Sequence, residues 1–196
     1  MIPHLADLIV PDDAYPHVEA DTADQTGVYA WPAGDRLARD LLQLVDCTGL
    51  RVLDLGCGRG HLGLSALRLG AERVTFCDGH PLVCAGLRRV LEANRLTAAV
   101  HEHRWGTPPP GGPFDLILGG DILYRATLFP ALLDSVAAAI GDGQVLLSDP
   151  RLRLEADLPR LAAERHLTWQ QERQADYSLV RIRPRPGVRR PTSDAG

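Results

Sequence analysis

Asp54 stands two residues ahead of Gly56, and glycines recur at Gly58 and Gly60. The run Leu50-Arg-Val-Leu-Asp-Leu55 before them reads as a strand, and residues 61–69 after them as a helix that Gly70 stops. Glycines between a strand and a helix let the backbone turn sharply and approach a ligand closely. In open α/β sheets ligands bind just beyond the carboxyl ends of the strands. Gly58-Arg-Gly-His-Leu-Gly63 also satisfies the dinucleotide spacing G-x-G-x-x-G, with Asp78 following Gly58 at the customary distance for a ribose contact. That spacing alone fits a nicotinamide dinucleotide. Asp54 tips the balance, because a carboxylate there would repel a pyrophosphate. It would attract the ammonium of an amino-acid moiety, which S-adenosylmethionine carries and NAD lacks. Asp78 can accept hydrogen bonds from ribose hydroxyls with either ligand. A tight turn without a ligand is the bland alternative, and the strand-turn-helix context weighs against it.

A second candidate group lies downstream. Asp121 follows Gly119 and Gly120, which would let a substrate approach the backbone. A carboxylate there suits an amine acceptor, held by a charge-assisted hydrogen bond. It also works against methyl transfer, which needs a neutral amine. Lysine in water has a pKa of about 10.4, and a nearby carboxylate favours its charged form. Asp121 therefore reads as an orienting group rather than a base. Asp115, beginning a strand, reads as a solvated turn residue. Trp105, beside Gly106 at a strand end, is expected at the ligand crevice, whereas Trp31 suits a ligand contact and core filling equally. Tyr124 could also be a packed aromatic. His61, His80, His101 and His103 read as surface or core residues, and His80, two after Asp78, is the one in reach of an adenosine. Catalysis would then rest on proximity and in-line displacement, without a covalent intermediate.

The elements that must position these groups alternate. Strands are expected at 50–55, 73–77, 98–103, 114–118 and 144–148, and helices at 35–45, 61–69, 81–94, 127–140 and 153–165. Pro32 is acceptable in a first helical turn. Two last strands, 167–173 and 177–183, could pair as a hairpin. Alternation of this kind gives an α/β fold with a mainly parallel sheet, and the hairpin would add an antiparallel strand at its edge. Residues 1–30 read as an irregular N-terminal extension, 31–184 as one domain, and 185–196 as a disordered Arg/Pro tail.

Composition narrows the function classes. At 196 residues the chain suits one domain, and its net charge of -4 argues against binding nucleic acid by neutralising phosphates. All 21 basic residues are arginine. Cys47, Cys57, Cys77 and Cys84 lack metal-site spacing, so no metal is expected. Free thiols fit a reducing compartment, and the cytoplasm is the expected location. No apolar run approaches the roughly 20 residues of a membrane span, and no membrane partner is expected.

With these residues in view, the chain resembles the class I, Rossmann-like methyltransferases, whose first motif is matched by the D-x-G-x-G-x-G run from Asp54 to Gly60. More narrowly it resembles the seven-strand protein lysine methyltransferases, methyltransferase family 16. Gly27-Val-Tyr-Ala-Trp31-Pro is similar to that family's Trp-Pro segment and His103-Arg-Trp105-Gly106 to its Trp-Gly motif. Phe114-Asp-Leu-Ile-Leu-Gly-Gly-Asp121-Ile-Leu-Tyr124 is similar to its D-x-x-Y motif. Asp149-Pro150-Arg151 resembles a segment of the subgroup acting on the electron-transfer flavoprotein β-subunit, without the glycine usual there between Pro and Arg. The resemblance implies a seven-stranded, mostly parallel sheet with helices on both faces. It implies that Asp54, Gly56 and Gly58 cradle the methionyl part of S-adenosylmethionine, with Asp78 on the ribose. Trp105 would lie near the adenine, Trp31 near the methionine end, and Asp121 and Tyr124 would face the acceptor. The expected activity is methylation of a protein lysine. A small-molecule N- or O-methyltransferase and a non-catalytic interaction platform are the competing readings.

Overall fold

The central strands are apolar on both sides, so helices must cover both faces of the sheet. The computed structural model describes residues 5–15, 31–151 and 156–187. In chain order the elements are α1 (Pro32–Leu44), β1 (Arg51–Leu55), α2 (His61–Arg68), β2 (Arg73–Asp78), α3 (Pro81–Ala93) and β3 (Ala99–Glu102). They continue as β4 (Phe114–Gly120), α4 (Phe129–Ala139), β5 (Ile140–Asp149), α5 (Asp157–Glu164), β6 (Leu167–Arg173) and β7 (Ser178–Pro184). The seven strands form one sheet in the order β3-β2-β1-β4-β5-β7-β6. Strand neighbours from β3 to β5 are parallel.

Alternate residues of each strand feed two cores. Val52, Val74, Leu116, Leu118 and Leu146 pack with Leu37 and Leu41 of α1, Leu62 of α2 and Leu87 of α3. Leu53, Leu55, Ile117, Val145 and Leu147 pack on the other face with Leu132 and Val136 of α4 and Leu158 of α5. Each such side chain stabilises the fold by roughly 1.5–3 kcal/mol relative to exposure.

The chain steps outward from β1 to β2 and β3, then crosses back to place β4 on the other side of β1. This reversal opens a crevice between the carboxyl ends of β1 and β4, where ligands of such sheets sit. Asp54 belongs to β1 and Asp121 follows β4 directly, so the topology puts the two candidate carboxylates on either side of that crevice.

The expected hairpin forms at the edge of the sheet, with β7 between β5 and β6, antiparallel to both, and β6 outermost. The apolar positions of Ser178-Leu-Val-Arg-Ile182 need cover on both faces, whereas β6 is half exposed and tolerates the rim. Gly119 and Gly120, read from sequence as admitting substrate, also serve packing. A Cβ on Gly120 would come within 2.6 Å of the Gly34 Cα, and one on Gly119 within 2.5 Å of the Ile122 side chain. The missing side chains let the start of α1 close onto the end of β4. Because the neighbour of Gly120 is backbone, Gly120→Ala is expected to destabilise the chain by about 1–3 kcal/mol. Urea unfolding measures this, and an unchanged midpoint would contradict the close approach.

Asp115 is exposed but lies within β4, where its carboxylate accepts the Arg51 amide at 2.8 Å. The N-terminal residues 5–15 include a short 3-10 turn, Leu5–Asp7. They run across α3, where Asn94 exchanges two hydrogen bonds with Ile9 (2.9 and 2.7 Å) and Arg89 pairs with Asp13 at 2.7 Å. At the other end the Arg185 amide donates to His166 at 2.8 Å. The expected tail from 188 onward, residues 16–30 of the extension and the start of the helix expected at 153 lie outside the described residues. Among the described residues no helix is long and apolar enough to cross a membrane.

Candidate active site

The turn after β1 is built from its glycines. Gly56, Gly58 and Gly60 have φ of 69°, 51° and 79°, the left-handed region that other residues rarely adopt. The amides of Gly56 and Cys57 both donate to the Cys77 carbonyl, at 2.8 and 2.9 Å, which folds the turn back onto β2. A Cβ on Gly56 would strike Ile122 at 2.8 Å and meet the Trp105 ring at 3.5 Å.

Two carboxylates brace this turn. Asp54 is only 1% exposed, and its Oδ2 accepts the Gly63 amide at 2.8 Å, tying β1 to α2. Burial pushes its pKa up to about 8, with the Asp78 charge adding to the rise. Asp78 accepts the Gly58 amide at 3.0 Å through Oδ2 and the His80 amide at 2.9 Å through Oδ1. Burial also raises the pKa of Asp78, against the pull of these amides.

Across the crevice, Asp121 has φ 56° and its amide donates to the Ser148 carbonyl at 2.9 Å. Its Oδ2 accepts the Gly34 amide from the first turn of α1 at 2.6 Å. Its Oδ1 is buried and has no hydrogen-bond partner among the described residues. Burial raises the pKa to about 6, the Gly34 and Ala33 amides oppose the rise, and the Asp149 and Asp35 charges add to it. The loop that follows is clasped from β5. Asp149, 2% exposed, pairs with Arg151 at 2.9 Å, and Arg151 donates onward to the Leu123 carbonyl. Tyr124 is 48% exposed, with the Arg125 guanidinium 5.6 Å from its ring centre.

A single cavity of about 620 Å³ unites these parts. All eight residues singled out from sequence line it: Trp31, Asp54, Gly56, Gly58, Asp78, Trp105, Asp121 and Tyr124. Trp31 stands at the N-cap of α1. Trp105 packs its partly buried ring on the α4 side of the core. Its loop is held by Ser135, whose hydroxyl accepts the Gly106 amide and donates to the Thr107 carbonyl, both at 2.9 Å.

His80 caps α3, its Nδ1 accepting the Leu82 amide at 3.2 Å, and the buried His103 contacts the Thr107 carbonyl at 3.0 Å. His61 is different: its Nδ1 lies 2.5 Å from Asp35 Oδ1 on the cavity wall. Sequence reasoning missed this pair, along with Gly34, Ser135 and Ile122. No spacing rule links a helix start to another helix start across an intervening strand. Packing of α1 on α2 brings Asp35 to His61, and closure of α1 onto the end of β4 brings Gly34 to Asp121.

Residues 12–161 match the family model described as lysine methyltransferase. Protein N-lysine methyltransferase METTL21A of Danio rerio is 38% identical over 66% of this chain and 59% of its own length. Electron transfer flavoprotein beta subunit lysine methyltransferase of Xenopus laevis is 35% identical over 61% of this chain and 50% of its own length. The chain thus spans about half to three fifths of the length of these curated relatives. Among solved structures, ribosomal protein L11 methylase from Lactobacillus delbrueckii subsp. bulgaricus superposes with a TM-score of 0.65. It is 22% identical, covering 80% of this chain and 81% of that one, and the likeness is one of fold. With most of its length inside the family model and that family's sheet around the crevice, the chain belongs to the lysine methyltransferase family.

Proposed function

We propose that this chain transfers a methyl group from S-adenosylmethionine to a lysine nitrogen of a protein. The observation that carries the reading is Asp121, which lines the cavity with one oxygen fixed to Gly34 and the other buried without a hydrogen-bond partner among the described residues. A buried unpaired acceptor is costly and calls for a donor. An alkylammonium supplies one, with three N–H groups.

The residues opposite fit the methyl donor. Asp54 is a buried carboxyl group without a cationic side chain beside it among the described residues, and the donor's ammonium would be its counter-charge. Gly56 and Gly58 line the cavity in a left-handed turn, Asp78 would accept the ribose hydroxyls, and Trp105 offers a ring for the adenine. Trp31 closes the methionine end. The bound donor supplies an electrophilic methyl group on a sulfonium. The chain supplies position: Asp121 orients the acceptor nitrogen, and Tyr124 and Trp31, both exposed at the cavity, flank the entering side chain.

Incubation of a cell lysate with tritiated donor and the protein should label discrete protein bands that yield methyl-lysine on hydrolysis. The chain contains no lysine side chain of its own, so methyl-lysine can come only from acceptor proteins. Label confined to small molecules would replace the protein acceptor with a free amine.

A further inference from the structure

An acceptor lysine arrives as an ammonium and must lose a proton before its nitrogen can attack a methyl group. Asp121 binds the charged form and so opposes that loss. A second group has to take the proton, and the wall of the cavity contains one. We propose that His61, oriented by Asp35, accepts the proton of the amine that Asp121 positions; this rests on the amine-acceptor reading above.

The geometry is specific. Asp35 is a carboxylate and can only accept, so the hydrogen in its 2.5 Å contact with His61 rides on Nδ1. Nε2 then keeps its lone pair, and no hydrogen bond engages it among the described residues. Orientation of an imidazole by a carboxylate on its far nitrogen is the arrangement that prepares a histidine to take a proton. The link to Asp121 is short, two hydrogen bonds joined by one peptide bond. Gly34 donates to Asp121 and the next residue, Asp35, holds His61, so one helical turn anchors both side chains at the same cavity. Asp35 is also close enough to add to the rise in the Asp121 pKa. The charged groups that share the cavity wall with His61 are Asp35, Asp54, Asp78, Asp121, Arg59, Arg104 and Arg125, with His80 and His103, and Tyr15 and Arg59 line a smaller cavity with it.

The step balances without another reactant. An ammonium N–H bond breaks, its electron pair stays on nitrogen, and the proton joins the Nε2 lone pair. The nitrogen pair then forms the new N–C bond as the C–S bond breaks with its pair on sulfur. His61, whose side chain is 34% exposed, returns the proton to water.

The test compares wild type with His61→Gln and Asp35→Asn, using tritiated S-adenosylmethionine and lysate protein from pH 6.5 to 9.5. His61→Gln is expected to lower labelling about 100-fold at neutral pH, the usual scale of general base catalysis. The deficit should narrow as pH rises and water deprotonates the amine. Asp35→Asn, which keeps the imidazole, should show a smaller loss with the same recovery. Calorimetric affinity for S-adenosylhomocysteine should be unchanged in both. A proton–nitrogen NMR spectrum of histidine-labelled protein, taken where the ring is neutral, should place the proton of His61 on Nδ1. A pH-independent deficit, weakened S-adenosylhomocysteine binding, or a proton on Nε2 would each overturn the assignment. If the wild type labels no protein, the acceptor reading itself fails and His61 loses its task with it.

Discussion

Asp54→Asn is expected to weaken S-adenosylhomocysteine binding about 100-fold, or about 2.7 kcal/mol, while the chain stays folded. Asparagine keeps the shape and the oxygen that accepts the Gly63 amide, and removes only the charge. Truncating one side of a buried charge pair costs about 2–5 kcal/mol, so the estimate sits at the low end of that range. The pH dependence tests the same contact. In the empty site burial raises the pKa of Asp54 to about 8, so near neutrality the neutral form predominates. A ligand ammonium favours the ionised form, so binding expels a proton, and affinity rises with pH until about 8. Calorimetry in buffers of different ionisation heat would detect the released proton, and Asp54→Asn should abolish it. An affinity that ignores both the substitution and the pH would remove Asp54 from the donor site. The same shift acts on stability. A carboxyl whose pKa rises on folding stabilises the chain fully below its unfolded pKa of about 4. That contribution is lost as pH climbs through about 8, with Asp78 and Asp121 acting in the same sense. The ligand-free protein should accordingly melt at a lower temperature at pH 8 than at pH 5.

Asp121→Asn should do the reverse: S-adenosylhomocysteine binds as before, and methyl transfer to lysate protein falls by about 100-fold, the scale of a misplaced reactant. The amide oxygen of asparagine can still accept from Gly34, so α1 stays closed on β4. Asp121→Ala removes that acceptor too and leaves a buried N–H unpaired, at a further cost of about 1–3 kcal/mol in stability. The pair of variants therefore separates holding the acceptor from holding the helix. Equal loss of affinity and turnover in Asp121→Asn would assign the residue to the donor side.

The elements were legible because each carries its own period. The strand through Asp54, the glycine turn and the helices over 61–69 and 81–94 fall within a residue or so of their predicted bounds. Where the reading slipped, the signal was not local. Gly141-Asp-Gly143 reads as a turn, yet it belongs to β5, because Gly143 has no Cβ to strike the Asp115 carbonyl. Which strand of the closing hairpin pairs with β5 carries no local signal either, and it is β7. Gly119 and Gly120 were visible, but whether a bare backbone admits a ligand or a neighbouring helix depends on what the fold brings there. Packing between α1 and α2 hid Asp35 and His61, 26 residues apart, while the D-x-G-x-G-x-G run and the residues after β4 stood out because strand ends announce themselves.

The first turn of α1 has a practical consequence. In the proposed reading most donor contacts come from β1, β2 and the turns after β1, β2 and β3, whereas Gly34 and Asp35 reach the acceptor side from a helix that precedes them all. The molecule is in this sense a cartridge and a socket made from separate lengths of chain. Transplanting four consecutive positions, 32 to 35, between related enzymes would exchange the socket's latch and leave the cartridge untouched.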